Sequence, residues 1–328
     1  MKIAFYSAHQ FERDFLENAN AGKHELIMLE PALTEKNVNL ATGCEGVCIF
    51  VSDTASEAVL KKLSELQVRF IALRSAGYNH IDLKEAAKLN LKVARVPDYS
   101  PYAIAEHTIA LMMALNRQIV QAHNRINEFN FSLDGLIGFD MHGKTVGIVG
   151  TGKIGNQAAK ILSGFGCKVI AYDIIENEDL KKDFGAEYVD FKSLCNRADI
   201  ISLHTPLNDQ TKHIINEDSI KKMKKGVMLI NTSRGGLVCA KDVIVALKTG
   251  QIGYFGMDAY EEETGLFFEN HSQDILQDDV IARLMTFKNV LITSHQAFLT
   301  DTALKNIATT TFHNLDCFEK NVLSGNEL

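Results

Sequence analysis

The sequence has no long uncharged stretch. Its longest run without Asp, Glu, Lys or Arg is Asn289–Thr300, 12 residues with a histidine inside. A membrane-spanning helix needs about 20 apolar residues, so none is expected. The apolar start Met1–Ser7 is too short for a secretory core, and Glu12, Arg13 and Asp14 follow at once. Basic charge is also short. Lys and Arg number 34 against 41 Asp and Glu, a net charge of −7. A phosphate-backbone binder needs a basic face, so nucleic acid is not an expected partner. Cysteine is sparse, at 44, 48, 167, 195, 239 and 317. No second cysteine pair and no His-x-x-His accompanies Cys44 and Cys48. The thiols mostly sit in apolar runs such as Val47–Phe50. They read as reduced, buried cysteines of a cytoplasmic protein, with no metal site. Tandem repeats and low-complexity segments are missing too.

What is present is a globular composition, 46% hydrophobic and 23% charged over 328 residues. That length suits two domains of about 150 residues each. Short apolar runs alternate with helical patterns, the mark of a parallel α/β sheet. The pattern predicts strands at 2–6, 25–29, 46–51, 69–73 and 92–95. Ser100-Pro101 then opens a helix, with proline at its first position. Ile104, Leu111, Met112, Leu115, Ile119, Ile126 and Phe129 keep a helical period, which predicts one long helix over 101–130. Gly135, Gly138 and Gly143 mark a loop. A second series of strands is expected at 145–149, 168–172, 199–203, 227–231, 254–257 and 289–293, and a final helix at 300–320. The expected fold is α/β: two Rossmann-like or flavodoxin-like, doubly wound parallel-sheet domains separated by a ligand cleft.

Gly150-Thr151-Gly152-Lys153-Ile154-Gly155 follows the apolar strand Val146–Val149 and opens an amphipathic helix. In such a G-x-G-x-x-G loop the first glycine makes a tight turn. The second admits a pyrophosphate, and the third packs helix on strand. The phosphates then meet helix N–H groups at the positive end of the helix dipole. The next strand ends in Asp173, 18 residues beyond Gly155. An acidic residue roughly 20 residues on is the ribose partner of a dinucleotide. A carboxylate there would repel a 2′-phosphate, which favours NAD over NADP.

Ligands of open α/β sheets meet the carboxyl ends of the strands. Those ends read His204-Thr205-Pro206, Thr232-Ser233-Arg234-Gly235, Asp258 with Glu261-Glu262-Glu263, and Ser294-His295. The types suit reduction of a carbonyl beside a carboxylate. Arg can clamp the carboxylate with two parallel hydrogen bonds. His can lend a proton near neutral pH, and a neighbouring carboxylate would orient it. His204 could cap a helix or contact cofactor. It ranks below His295 as the acid, because no acidic cluster precedes it. At least one of the three glutamates reads as a solvated loop face. His107, on the long helix, reads as a structural or interface residue.

At this point the chain resembles the D-isomer-specific 2-hydroxyacid dehydrogenases along nearly its whole length. The motifs that carry the likeness include Cys44–Val51, Ile71–Asn79, Val96–Pro101, Gly150–Gly155, Ile230–Gly235, Gly256–Glu263 and His295–Thr300. The resemblance implies a discontinuous catalytic domain, 1–100 plus 298–328, and an NAD-binding domain at 101–297. It implies a catalytic set of Arg234 on the substrate carboxylate, His295 as proton donor, and Glu263 bonded to His295 to keep it protonated. It places Lys153, Ile154, Asp173, His204, Thr205, Pro206, Thr211, Thr232, Ser233, Arg234 and Asp258 at cofactor positions, besides Gly150, Gly152 and Gly155. It puts Ala76, Gly77, Tyr78, Tyr99 and Phe298 against the substrate with Arg234 and His295. Two bulky rings, Tyr99 and Phe298, would favour a methyl side chain, hence pyruvate and D-lactate. Many family members carry proline after the catalytic glutamate, where this chain has Thr264. The family's D-lactate branch also lacks it, with a longer loop such as Leu266–Glu269 and Ile275–Asp279. The resemblance further implies a homodimer or homotetramer formed through the cofactor domain, with 101–130 as its surface. Two other readings stand beside this one: a dehydrogenase for a larger 2-keto acid, and an NAD-sensing, corepressor-like binding protein. Glu263 speaks against a formate dehydrogenase of this fold.

Overall fold

A computed structural model describes all 328 residues, Met1–Leu328. The chain divides into two compact units, Met1–Ser100 with Phe298–Leu328, and Pro101–Ala297. Each is built on a wholly parallel sheet. Both faces of such a sheet are covered, so its strands are apolar throughout rather than alternating.

In the first unit the strands are β1 Lys2–Phe5, β2 Glu25–Met28, β3 Gly46–Ile49, β4 Phe70–Leu73 and β5 Lys92–Ala94, in the order β2-β1-β3-β4-β5. That is the flavodoxin-like order. The central strands are buried along their length, whereas the edge strand β2 is not. The helix Asp301–Glu319 covers one face. Its Phe312 stacks on Phe5, and Phe318 stacks on Phe70 with ring centres 5.0 Å apart. Residues 298–328 thus complete the core of residues 1–100.

The second unit holds β6 Thr145–Val149, β7 Lys168–Tyr172, β8 Glu187–Tyr188, β9 Ile200–Leu203, β10 Val227–Asn231, β11 Ile252–Met257 and β12 Val290–Ile292. Their order is β12-β11-β10-β9-β6-β7-β8. This is the Rossmann order with one strand added at the far edge. The winding reverses between β6 and β9, where their registered pairs run from Val146↔Ile200 to Val149↔Leu203. A reversal of this kind opens a crevice at the strand ends.

The expected helix over 101–130 is in fact two, Pro101–Asn116 and Ile119–Asn127. Between them Gln118 takes a left-handed conformation, φ +48°. The cause is a crossing chain. The Asn116 amide donates to the Phe139 carbonyl (2.7 Å) and accepts from the Phe139 N–H (2.8 Å). Residues 138–139 therefore lie across the helix end and stop it. Ile104, Leu111, Met112 and Leu115 are buried, as the period predicts. Ile119, Ile126 and Phe129 are not, with Phe129 85% exposed. β8 is only two residues long and carries no periodicity to read. No helix of the chain is long and apolar enough to cross a membrane.

Candidate active site

The glycine loop forms the turn from β6 into the helix Lys153–Gly164. Gly150 sits at φ +95°, and a Cβ there would stand 2.6 Å from the His204 carbonyl oxygen. A Cβ on Gly155 would come within 2.0 Å of the Gly150 oxygen. Gly152 is the opposite case, with open space on its Cα. The loop is thus closed on two sides and open at its middle glycine, a cradle that fits a pyrophosphate.

Asp173 follows β7 directly. Its Oδ2 accepts from the Thr151 N–H (2.5 Å) and hydroxyl (3.0 Å), and its Oδ1 accepts from the Ile174 N–H (2.7 Å). The carboxylate is therefore held against the cradle. Tyr188 of β8 braces it from behind, its hydroxyl donating to Thr151 Oγ1 (2.8 Å). Sequence reasoning missed Tyr188, because a two-residue strand gives no signal. Lys153 and Ile154 lie in the first turn of the helix that follows.

Beyond β9, His204 is half-buried, its Nε2 2.9 Å from Ser202 Oγ. Burial lowers its pKa to about 4. Near pH 7 it is therefore the neutral imidazole, a far weaker proton donor than an imidazolium. The Thr211 hydroxyl turns inward to the Pro206 carbonyl (2.6 Å) and shapes the loop after Thr205 and Pro206.

Beyond β10, the buried Asn231 side chain ties the turn. Its Nδ2 donates to the Arg234 carbonyl (2.9 Å), and its Oδ1 accepts from the Ser233 N–H (3.1 Å). The Ser233 hydroxyl reaches back to the Thr205 carbonyl (2.8 Å). Arg234 gives Nη1 to the Ser233 carbonyl (2.8 Å). A Cβ on Gly235 would strike the Tyr260 backbone at 1.9 Å, so this position brings the Arg234 turn hard against the glutamate loop.

The structure sorts the three glutamates. Glu261 meets His213 (2.9 Å), Glu262 is exposed, and Glu263 meets His295. Glu263 Oε1 lies 2.9 Å from His295 Nδ1, and its Oε2 accepts from the Tyr260 N–H (3.1 Å). Both carboxylate oxygens are thus fixed. The Nδ1 contact leaves Nε2 as the outward nitrogen of His295. The Phe268 ring stands 5.9 Å from the imidazole, centre to centre. His295 and Phe268 both have positive φ, +49° and +68°. Such conformations cost of order 1–3 kcal/mol each in a non-glycine residue and persist only where the surroundings enforce them.

Asp258, after β11, is 1% exposed. Burial alone would raise its pKa. Hydrogen bonds from His107, Thr293 and Ala297 and the nearby His295 outweigh burial and hold it below the usual carboxylate value. Sequence alone gives His107 a structural or interface reading, and its contact with Thr293 and Asp258 lies beyond any sequence signal.

In the first unit, Arg74, directly after β4, is fully buried. Its guanidinium meets both Glu12 oxygens at 3.0 and 3.1 Å and the carbonyls of Tyr6 and Ser7. Breaking such a fully bonded buried pair costs about 3–5 kcal/mol, so the strand end is rigid. Ser75–Tyr78 follows immediately. The Ser75 hydroxyl donates to the Gly77 carbonyl (2.7 Å), and Arg95 donates to the Ala76 carbonyl (2.8 Å) while its guanidinium lies over the Tyr78 ring. Phe298 has Tyr99 at 6.5 Å, Phe50 at 6.0 Å and Phe11 at 6.2 Å. Phe11 and Phe50 escaped the sequence reading. Phe50 stands at the carboxyl end of β3, a position that the strand-end argument could have flagged.

Comparison with known proteins agrees with this architecture. A family model, the NAD-binding domain of D-isomer specific 2-hydroxyacid dehydrogenases, matches residues 109–297. The chain is 49% identical to a D-lactate dehydrogenase of Escherichia coli (strain K12), with all of both chains covered. It is similar in structure to a pyruvate reductase of Chlamydomonas reinhardtii, with TM-score 0.93, 43% identity and 99% and 98% of the two chains covered. It is also similar to a D-lactate dehydrogenase of Aquifex aeolicus solved with NAD and lactic acid. There the TM-score is 0.89, the identity 32%, and 99% and 98% of the two chains are covered.

Proposed function

Because the chain belongs to the D-isomer-specific 2-hydroxyacid dehydrogenase family, an oxidoreductase family with an NAD-binding domain, we propose that it reduces pyruvate to D-lactate. The observation that carries the reading is the His295–Glu263 pair (2.9 Å) in the same strand-end region as the Arg234 turn. Arg234 holds the substrate carboxylate through its free N–H groups, two of which match the carboxylate oxygens. His295 gives the Nε2 proton to the keto oxygen as that oxygen gains charge. Glu263 fixes the ring so that Nδ1 faces inward and Nε2 outward. NADH, when bound, would supply the hydride for the 2-carbon. Gly150, Gly152, Gly155, Lys153, Ile154 and Asp173 hold the dinucleotide, with Thr205, Pro206, Thr232, Ser233 and Asp258 at the neighbouring strand ends. Ala76, Gly77, Tyr78, Tyr99 and Phe298 contact the substrate.

The test is the initial rate of NADH oxidation with pyruvate, followed by the handedness of the product. Fast turnover to D-lactate is the expected result. L-lactate, or no turnover with NADH bound, overturns the reading. The second outcome with activity on a bulkier 2-keto acid moves the assignment to that substrate.

We also assign the protein to the cytoplasm and to a homo-oligomer, a dimer or tetramer. Val120 and Ile126 on the helix Ile119–Asn127, and Phe129, Phe131, Leu133 and Ile137 beyond it, are all at least half exposed. A run of exposed large apolar side chains marks an association surface. Sedimentation equilibrium is expected to give two or four copies. A lone monomer at micromolar concentration would remove the proposal.

A further inference from the structure

The geometry points to His107 as a positioning residue: with Thr293 and Asp258 it closes a clamp on residues 293–297 that sets the backbone of His295. The inference deepens the proposed function and rests on His295 being the proton donor.

Asp258 ties β11 to this segment on both sides of His295. Its Oδ1 accepts from the Thr293 hydroxyl (2.6 Å) and the Gln296 N–H (2.8 Å). Its Oδ2 accepts from the Ala297 N–H (2.9 Å), and its main-chain oxygen accepts from the His295 N–H (2.7 Å). Four bonds from one residue to a five-residue segment over-determine it. That is what a non-glycine residue at φ +49° requires.

His107 completes the set from the helix Pro101–Asn116. Its Nε2 lies 3.1 Å from Thr293 Oγ1 and 3.5 Å from Asp258 Oδ1. The Thr293 proton is committed to Asp258, so its oxygen must accept, and His107 must donate from Nε2. The chain of bonds therefore has one consistent direction, from His107 to Thr293 to Asp258. The next residue points the same way. The Thr108 hydroxyl donates to the Ile104 carbonyl (2.8 Å), so it accepts from the Thr232 hydroxyl, 2.7 Å away. Thr232 lies two residues before Arg234. Consecutive residues of one helical turn thus hold the segment bearing His295 and the turn bearing Arg234. Since proton transfer depends on sub-ångström placement of the donor, loosening this turn should slow the chemical step more than it weakens binding.

The experiment compares wild type with His107→Ala, His107→Gln and Thr293→Val. Two quantities are read: pyruvate reduction, and hydrogen exchange of the segment containing Gln296 and Ala297. In His107→Ala, kcat is expected to fall at least about tenfold with the KM for NADH within about twofold. Exchange of the segment should quicken. Gln keeps a side-chain N–H donor, so His107→Gln should recover most of both. Thr293→Val should match His107→Ala, and the double variant should be no worse than either, since both break one chain of bonds. The clamp is refuted if His107→Ala keeps kcat within twofold, or if Gln is as impaired as Ala. A wild type that turns over no 2-keto acid refutes the functional reading instead. The exchange measurement then tests the clamp alone, and unchanged protection in His107→Ala sinks it.

Discussion

Replacing His295 with Gln is expected to cut kcat for pyruvate reduction by about 10²- to 10⁴-fold, the usual contribution of a positioned general acid. Gln fills similar space and can still hydrogen-bond Glu263 Oε1, so the loop around Tyr260 should keep its shape. What is lost is the proton at Nε2. NADH binding, followed by fluorescence, should change little, because β12, which leads to His295, lies four strands from β6 and its glycine loop. The other imidazole at a strand end, that of His204, offers no rescue. His204 is held neutral near pH 7 by burial, its pKa lowered to about 4. A His295→Gln enzyme with near-normal turnover would mean that the donor is another group, and the Glu263 contact would then be structural.

Local spacing made much of this molecule readable. The strand Val146–Val149, the glycine loop and Asp173 lie within one continuous stretch, so their chemistry could be placed without knowing the fold. Arg234 and His295 were readable for a different reason: parallel sheets put every strand's carboxyl end on one edge, and both residues stand at such ends. The networks around them were not readable. His107 and Thr293 are 186 positions apart, and their 3.1 Å contact exists only once the helix packs on the sheet. The three consecutive glutamates look alike in sequence. Only the packing sends Glu261 to His213, Glu262 to solvent and Glu263 to His295. The helix at 101–130 misled for a physical reason as well. Its apolar period continues past Asn116, but that residue's amide is taken by Phe139, and the later apolar residues face outward.

Arg234→Gln should damage the reaction through the substrate rather than the proton. A guanidinium can give a carboxylate two charge-assisted hydrogen bonds, each worth about 1.5–3 kcal/mol. Losing both corresponds to about 10²- to 10⁴-fold in kcat/KM, at about 1.4 kcal/mol per factor of ten. Part of the loss should fall on kcat, since the clamp aims the keto carbon as well as binding the acid group. Lysine should recover only part of it, because a point charge cannot reproduce the fork. The backbone around position 234 should survive the change. The turn is tied by Asn231 and Ser233, and the only bond that the Arg234 side chain gives the protein is to the Ser233 carbonyl. The discriminating measurement is the KM for pyruvate against the KM for NADH across wild type, Gln and Lys. A large rise in the first with the second unmoved is the expected pattern. A matched rise in both would make Arg234 a cofactor residue, and the carboxylate clamp would have to be sought elsewhere.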